Sequence, residues 1–336
     1  MNGKLAVLVP AFEGGALLQR TVASCLNSGL DRSRFSVLVV DNASDDPALN
    51  ALPAEVTVHR NPVNLGRTAN WNRALELAES AGFTYAAFLF VGDEWVGNNA
   101  IKDLLDLMDS NGSVFGMASL RIVSERGILL REGSRVTIRG ASAQVASSSL
   151  LARSIGAGRL PFAPIQANIY RLFPERPLRF SARPEDSLNC DLEGTVQFLQ
   201  DHPGVVSIEA RSYLLWKERP GRFLTTQDPW SVFVETRRTL ERVSAATQIP
   251  VDWKSANAIA MLAAMRETPH SLPWRQRLAF QFRMFRYLWR DAAGLSARKM
   301  LAFVVRKLFM GQNYLDLSAE PAPRRGVPAP LQTVVD

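Results

Sequence analysis

Short apolar runs alternate with helical patterns along the first 110 residues of the chain. Continuous apolar runs at residues 5–9, 35–40 and 85–91, with a shorter one at 56–59, predict four buried strands. Between them, apolar residues recur at helical spacing and predict a helix ending near Gly29 and further helices over 70–80 and 99–108. Strands that alternate with helices favour an α/β fold, with a mostly parallel sheet sandwiched by helices.

The pattern weakens after residue 110. It predicts strands at 114–122, 136–138 and 205–215, a loop or short helix at 141–149, and a carboxylate-rich turn leading into a helix over 183–200. Residues 230–310 are predicted to be mostly helical, and the tail rich in Pro and Arg from Ser318 to be disordered. We therefore divide the chain into residues 1–228, with halves at 1–110 and 111–228, a basic helical region at 229–317, and a tail at 318–336.

Each predicted strand of the first half is followed by polar residues. The clusters are residues 10–13, 41–42, 61–67 and 93–94. Ligands of open parallel sheets bind beyond the carboxyl ends of the strands. We expect the four clusters to converge on one edge of the sheet and to form a ligand site there.

Residues 61–78 begin as a polar turn and end as a helix. Gly66 is free to adopt a positive φ, Thr68 or Asn70 could cap the helix, and residues 71, 74, 75 and 78 form its apolar face. A helix start with several hydrogen-bonding side chains suits a phosphate-bearing ligand, although polar helix caps alone would give the same pattern. Those side chains belong to Asn64, Arg67, Asn70 and Asn72.

Carboxylates supply the remaining candidate chemistry. Asp41 could accept hydrogen bonds from a ribose or a base, and the adjacent Asp93 and Glu94 suit a divalent cation, Mg²⁺ or Mn²⁺. Asp191 precedes a helical run and is the preferred general base, with Asp186 and Glu185 as rivals. Each of these acids could instead serve only as a turn or cap.

Composition and motifs exclude several classes of protein. The two cysteines, Cys25 and Cys190, have no nearby partner, which argues against a disulfide framework and a thiolate zinc site. The first strand is not followed by G-x-G-x-x-G, and residues 41–46 lack the glycine and glutamate of a calcium loop. The chain start shows no signal-peptide pattern, and no apolar run approaches the roughly 18 residues of a membrane span, so we expect a cytoplasmic protein.

With these residues in view, the chain resembles the family 2 glycosyltransferases, which have an A-type (GT-A) nucleotide-diphospho-sugar-binding fold. The resemblance rests on residues 7–13, 39–45, 64–75 and 88–95, and more weakly on Asp191 and the loop after Leu215. It implies an inverting transferase that moves a sugar from a nucleotide-diphosphate donor to a glycan or lipid-linked acceptor in cell-surface polysaccharide synthesis. Residues 1–228 would then be the catalytic domain, with the nucleotide sugar bound by 1–110 and the acceptor by 111–228.

The resemblance also implies residue roles. Pro10, Ala11 and Glu13 would line the nucleotide pocket, Asp41 would contact the base or ribose, and Asn64, Gly66 and Arg67 would lie under the nucleotide sugar. Asp93 with Glu94 would bind the metal, and Asp191 would activate the acceptor. The family often has Asp where Gly92 stands and another Asp where Glu94 stands, which bears on the metal geometry. A catalytically inactive nucleotide-sugar-binding or membrane-associated scaffold is the alternative.

Charge is unevenly distributed along the chain. Residues 1–110 hold 8 Lys and Arg against 13 Asp and Glu, so of the chain totals of 39 and 32 the remainder holds 31 and 19. Arginines and aromatic residues are interleaved over 274–310, a composition typical of helices that lie on an anionic membrane surface. Packing on the catalytic domain explains the same pattern, and the absence of an aromatic stacking platform argues against a nucleic-acid partner.

Overall fold

The computed structural model describes residues 3–97, 99–124, 126–133, 136–162, 164–182, 188–218 and 229–253, and a few isolated positions beyond them. Strands and helices alternate in its first part as the sequence predicts. These elements are β1 (Leu5–Ala11), α1 (Gly15–Leu26), β2 (Phe35–Asp41), β3 (Thr57–Arg60), α2 (Arg67–Ser80), β4 (Tyr85–Phe88), β5 (Glu94–Trp95) and α3 (Ala100–Asn111).

The second part contains more strands than helices. Its elements are β6 (Phe115–Ala118), β7 (Leu120–Ser124), β8 (Leu129–Gly133), β9 (Val136–Thr137), β10 (Ser142–Ala146), α4 (Ser147–Gly156), β11 (Asn168–Arg171), α5 (Cys190–Asp201), β12 (Val205–Glu209), β13 (Leu214–Glu218), α6 (Pro229–Thr247) and β14 (Leu315–Asp316).

The main sheet has eight strands in the order β10-β12-β6-β11-β4-β1-β2-β3. Strands β4, β1, β2 and β3 are parallel to one another, and β12 is parallel to β6. Strand β11 is antiparallel to both of its neighbours, and β10 is antiparallel to β12. The predicted α/β class with a mostly parallel sheet is confirmed, and the two predicted halves of residues 1–228 share this one sheet.

A second sheet of four strands, in the order β5-β13-β7-β8, lies beside the carboxyl end of β4. Strand β13 runs antiparallel to β5, with Leu215 opposite Glu94. This pairing brings a strand from late in the chain directly to the predicted metal-binding acids.

The apolar core lies on both faces of the main sheet. Ala6 and Leu8 of β1 belong to the cluster under α2, whereas Leu5, Val7 and Val9 belong to the cluster under α1 and α3. Strand β1 is therefore buried on both faces, as a continuous apolar run in a parallel sheet predicts. The apolar face predicted for α2 is buried too, through Trp71, Ala74, Leu75 and Ala78.

Three sequence predictions after residue 110 are wrong in detail. Residues 114–122 and 205–215 each form two strands in different sheets, because the chain leaves the main sheet at Ser119 and again at 210–213. Residues 141–149 contain strand β10 and the start of α4 instead of a loop or short helix. Strand β10 lies at the sheet edge with alternating exposure, and its small residues gave no strong strand pattern.

Some predictions fall outside the described residues. These are the membrane-binding stretch 274–310, apart from isolated positions, and the disordered tail 318–336. Within the described part of the chain, the search for helices long and apolar enough to span a bilayer finds none.

Candidate active site

The predicted convergence of polar strand ends is present in the structure. Ala11 at the end of β1 lies opposite Asp41 at the end of β2, which in turn lies opposite Arg60 at the end of β3. The Asn42 amide donates to the Ala11 carbonyl and the Asn61 amide to the Asp41 carbonyl, both at 2.8 Å. The loops that follow these strands therefore begin side by side at one edge of the sheet.

Asp41 is fully buried at this edge. Its carboxylate accepts hydrogen bonds from the Ser44 amide at 3.2 and 3.3 Å and from the Ser44 hydroxyl at 2.5 Å. The Arg60 guanidinium lies 3.5 Å away and balances the charge. These contacts hold Asp41 in one orientation, and its predicted contact with a base or ribose stays a prediction.

The loops after β1 and β2 are hydrogen-bonded to each other. Glu13, at a φ of +50°, donates its amide to the Ser44 hydroxyl at 2.9 Å and accepts from the Asp45 amide at 3.0 Å. Asp46 accepts from the amides of Gly15 and Ala48, and these bonds hold the pKa of its carboxyl below the ordinary value. The two loops form one fixed wall of the site.

Phe12 is an aromatic residue of this wall that the sequence reasoning missed. Its side chain is 53% exposed, while Pro10 and Ala11 before it are half-buried and buried. The ring lies beside the polar strand ends, where it offers a flat apolar surface on which a ring could stack. A solitary aromatic residue in a loop carries no periodicity, so no sequence pattern singled it out.

Four asparagines connect the loop at 61–66 to the strand ends. The Asn42 amide nitrogen donates to Asn64 Oδ1 at 2.7 Å. The Asn61 amide nitrogen donates to Asn42 at 3.1 Å and to Asn70 at 2.7 Å. Asn70 donates in turn to the Val40 carbonyl at 3.0 Å. This amide network gives Asn70 a structural role, and its predicted contact with a ligand stays a prediction.

Asn72 also makes two structural hydrogen bonds. Its side chain donates to the Phe180 carbonyl at 2.8 Å and accepts from the Phe180 amide at 2.9 Å. These bonds fix residue 180 against α2. A nucleotide-sugar contact of Asn72 likewise stays a prediction.

Helix α2 begins at Arg67, with Gly66 as the residue before it and no side-chain cap. The prediction that Thr68 or Asn70 caps this helix is wrong, because the helix starts before either of them. Thr68 instead lies 3.7 Å from the Cys190 thiol, and Asn70 belongs to the amide network. The first turn of α2 therefore offers backbone N–H groups that no side chain caps.

Gly66 has a φ of +80° and a ψ of 169°, a conformation that only glycine adopts without strain. No atom lies within 4 Å of a Cβ placed there, so a substitution meets backbone strain alone. We expect Gly66→Ala to lower the free energy of unfolding by about 1–3 kcal/mol. Urea denaturation measures this, with Gly97→Ala as the control, because Gly97 has no positive φ and its nearest contact is 3.6 Å away. Equal stability of the two variants would contradict the assigned strain.

The start of α5 lies beside the start of α2. Burial and, to a smaller extent, the nearby Asp191 carboxylate raise the pKa of the Cys190 thiol to about 11, while the Arg67 guanidinium opposes the shift. Arg67 itself lies over the Trp71 ring, 4.9 Å from its centroid. Asp191 is half-buried in the first turn of α5, so the structure brings the preferred base and Arg67 to the same place. The rivals Asp186 and Glu185 lie outside the described residues.

Helix α6 supports the start of α5. The Asn189 amide nitrogen donates to the Thr239 hydroxyl at 3.1 Å. The Arg242 guanidinium bridges Glu193 of α5 at 2.5 Å and Glu235 of α6 at 2.7 Å. Helix α6, which belongs to the predicted C-terminal region, thus packs on the helix that carries Asp191.

Asp93 is fully buried in the turn between β4 and β5. Its Oδ2 accepts from the Gln166 amide nitrogen at 2.8 Å, and its Oδ1 accepts from the Lys217 backbone amide at 3.1 Å. The preceding Gly92 has a φ of +90°, and the Thr21 hydroxyl bonds to the Gly92 amide at 2.8 Å. The positive φ explains why glycine stands where the family often has an aspartate.

Glu94 forms an ion pair with the Lys217 ammonium, which donates to Glu94 Oε1. A divalent cation takes oxygen ligands, and here those of Asp93 accept N–H donors while Glu94 already holds a cation. Within the part of the chain that the structure describes, no group of three or more His, Cys, Asp or Glu residues could hold a metal ion. This donor set does not fit a divalent cation as it stands.

Gln166 and Lys217 are the site residues that sequence reasoning missed. Gln166 lies in a turn before β11, a strand that the sequence pattern did not predict. Lys217 lies in the region after Leu215 to which the family resemblance extends, and that extension was the only signal for it.

Comparison with known proteins agrees with this geometry. Residues 6–144 match the model of glycosyl transferase family 2. A poly(ribitol-phosphate) beta-glucosyltransferase from Bacillus spizizenii is 23% identical over 133 residues, which are 37% of this chain and 20% of that protein. The match thus spans about a fifth of the length of this curated relative.

Solved structures show the same fold. The first is S. aureus TarS 1-349 in complex with UDP-GlcNAc, with a TM-score of 0.53 and 15% identity over 79% of this chain and 82% of that one. The second is the mannosyltransferase PcManGT from Pyrobaculum calidifontis in complex with GDP-Man and Mn²⁺, with a TM-score of 0.50 and 13% identity over 92% and 81%. The predicted resemblance is confirmed: residues 6–144 match the model of glycosyl transferase family 2, and the chain has the fold of the GT-A nucleotide-diphospho-sugar transferases.

Proposed function

We propose that the protein is an inverting glycosyltransferase that moves a sugar from a nucleotide-diphosphate donor to a hydroxyl of a glycan or lipid-linked acceptor. One observation carries the proposal: the polar ends of β1 and β2 lie beside the start of α2, with Arg67, and the start of α2 lies beside the start of α5, with Asp191. Such an arrangement provides, side by side, a nucleotide site at the strand ends, a phosphate site at the start of α2 and a general base at the start of α5. The nucleotide sugars bound by TarS and PcManGT support this assignment.

In this proposal the nucleoside lies against the wall formed by residues 10–13 and 41–46. The base stacks on the exposed Phe12 ring, and Asp41 accepts a hydrogen bond from the base or ribose. The diphosphate lies near Asn64, Gly66 and Arg67. There the backbone N–H groups and the positive dipole end at the start of α2 add to the charge of the guanidinium.

Asp191 takes the proton from the acceptor hydroxyl. The resulting oxygen attacks the anomeric carbon from the face opposite the diphosphate, the bond to the diphosphate breaks, and the configuration inverts. A position in the first turn of α5 stabilises the ionised form of Asp191, because that end of a helix dipole is positive. One carboxylate base on one face distinguishes this reaction from glycoside hydrolysis by a flanking pair.

Mg²⁺ or Mn²⁺ at Asp93 and Glu94 stays a prediction. The Mn²⁺ named with PcManGT supports it, whereas the donor set of Asp93, Glu94 and Lys217 does not favour it. If bound, the metal would neutralise the leaving diphosphate. We assign no step to it.

The acceptor class is inferred from the curated relative. Its name describes glucosyl transfer to poly(ribitol phosphate), which supports a role for this chain in cell-surface polysaccharide synthesis. We propose that the catalytic domain covers residues 1–228, since β11 and β12 complete the sheet that begins with β1. A cytoplasmic location and binding of residues 274–310 to an anionic membrane stay predictions.

A thermal-shift screen of nucleotide sugars tests the proposal, because a ligand that binds only the folded state raises the apparent melting temperature. The screen uses UDP- and GDP-linked sugars, each with EDTA and with Mn²⁺, followed by assays for released nucleoside diphosphate in the presence of glycan acceptors. We expect stabilisation by at least one donor class and release of its nucleotide. Binding without any release would favour the inactive scaffold, and no binding under either condition would refute the proposal.

A further inference from the structure

Lys217 occupies an unusual position for a lysine. It lies in β13, opposite β5, and its side chain is only 15% exposed. Its backbone and side-chain nitrogens each contact one of the predicted metal-binding acids. The backbone amide donates to Asp93 at 3.1 Å, and the ammonium pairs with Glu94. Lysine is rarely this buried without a paired acid, so the ion pair with Glu94 is what allows Lys217 to be buried at this position.

The ammonium group is bonded to one of the two predicted metal-binding acids, Glu94, and the backbone amide of the same residue is bonded to the other, Asp93. A divalent ion bound by Glu94 would have to displace Lys217 or lie against it, and two cations repel each other. The Asp93 oxygens meanwhile accept hydrogen bonds from Gln166 and from the Lys217 backbone. The Lys217 ammonium is thus a compact positive charge that the protein itself supplies beside Glu94.

The charge also lies at a suitable distance from the nucleoside wall. Strand β1 separates β4 from β2, and neighbouring strands lie about 4.8 Å apart, so the ends of β4 and β2 are roughly 10 Å apart. Phe90, in the loop between β4 and Asp93, stacks on Trp71, and Trp71 lies under Arg67, the residue proposed to bind the diphosphate. A cation at this position therefore faces the group whose negative charge grows as the sugar leaves.

We propose that the Lys217 ammonium, held by Glu94 beside Asp93, supplies the positive charge for the donor's diphosphate in place of a divalent metal. Glu94 is then a positioning residue, since it acts through Lys217, and Asp93 fixes the backbone from which Lys217 projects. This inference rests on the proposed function. It predicts a transferase whose nucleotide binding does not depend on a metal.

Isothermal titration of the full chain with UDP and GDP tests it, first in EDTA and then with Mn²⁺. We expect binding of one nucleotide in EDTA, with a Kd that Mn²⁺ changes by less than about threefold. Lys217→Gln should weaken binding in EDTA by about tenfold or more, the size of one charge-assisted hydrogen bond. Lys217→Arg keeps the charge and should retain most of the affinity.

Lys102→Gln is the matched control, because Lys102 is also paired with an acid, Asp106, but lies on the exposed face of α3. It should bind nucleotide as the wild type does, and melting curves confirm that each variant folds. Binding that requires Mn²⁺ in the wild type, or unchanged binding by a folded Lys217→Gln variant, would overturn the role of Lys217 while leaving the proposed transferase intact. No nucleotide binding with or without Mn²⁺ would instead refute the proposed function together with the inference.

Discussion

Asp191→Asn is expected to lower kcat by about 100- to 10,000-fold while leaving the Kd for nucleoside diphosphate nearly unchanged. The substitution keeps the shape of the side chain but removes the basic oxygen that accepts the proton of the acceptor. The base acts in the transition state, so the loss should appear in kcat rather than in donor binding. Steady-state kinetics and nucleotide titration measure the two quantities separately.

Asp201→Asn provides the control for this experiment. Asp201 is the last residue of the same helix and is bonded to Gln197 on the surface, so its variant should retain normal turnover. If Asp186→Asn or Glu185→Gln lowers kcat in this way and Asp191→Asn does not, the base is one of the two rivals.

Asp93→Asn is expected to lower kcat/KM by about 100-fold or more. The amide would lose the charge that balances the cation at this end of the sheet, whether that cation is Lys217 or a metal ion. One of the two N–H donors to Asp93 would also face an NH₂ group, which should cost roughly 1–3 kcal/mol of stability. Kinetics give the first effect and urea denaturation the second.

Asp106→Asn is the matched variant for Asp93→Asn. Asp106 is ion-paired with Arg34 and Lys102 on α3, with its side chain 41% exposed. Near-normal turnover of a folded Asp93→Asn protein would remove Asp93 from the active site. Similar losses in both variants would show that the effect is one of general stability.

The first half of the fold could be predicted from the sequence because its signals are local. Continuous apolar runs marked β1, β2 and β4, and a helical period marked α2, each within a window of a few residues. The polar clusters then followed from one topological rule, that parallel strands end at the same edge. Gly66 was predicted to adopt a positive φ, and it does.

The second half of the fold and the contacts of the candidate site depend on pairings between residues that are distant in the sequence. Strand β11 has four residues and takes its place only through β4 and β6, more than fifty residues earlier. The contacts of Asp93 with Gln166 and Lys217 likewise join positions 73 and 124 residues apart. A single sequence holds no local trace of such contacts, so it predicted a pair of metal-binding acids and missed the lysine that contacts both of them.

The position of β11 has a consequence for the biosynthesis of this protein. One edge of β4 has no partner until residues 168–171 have been made, and β6 gains its first neighbour, β11, at the same point and its second, β12, only at 205–209. The nascent chain therefore carries open, apolar strand edges over a long stretch of translation, which is when aggregation is favoured. The stretch 6–144 that defines the family is accordingly not a unit that can finish folding before the rest of the sheet emerges.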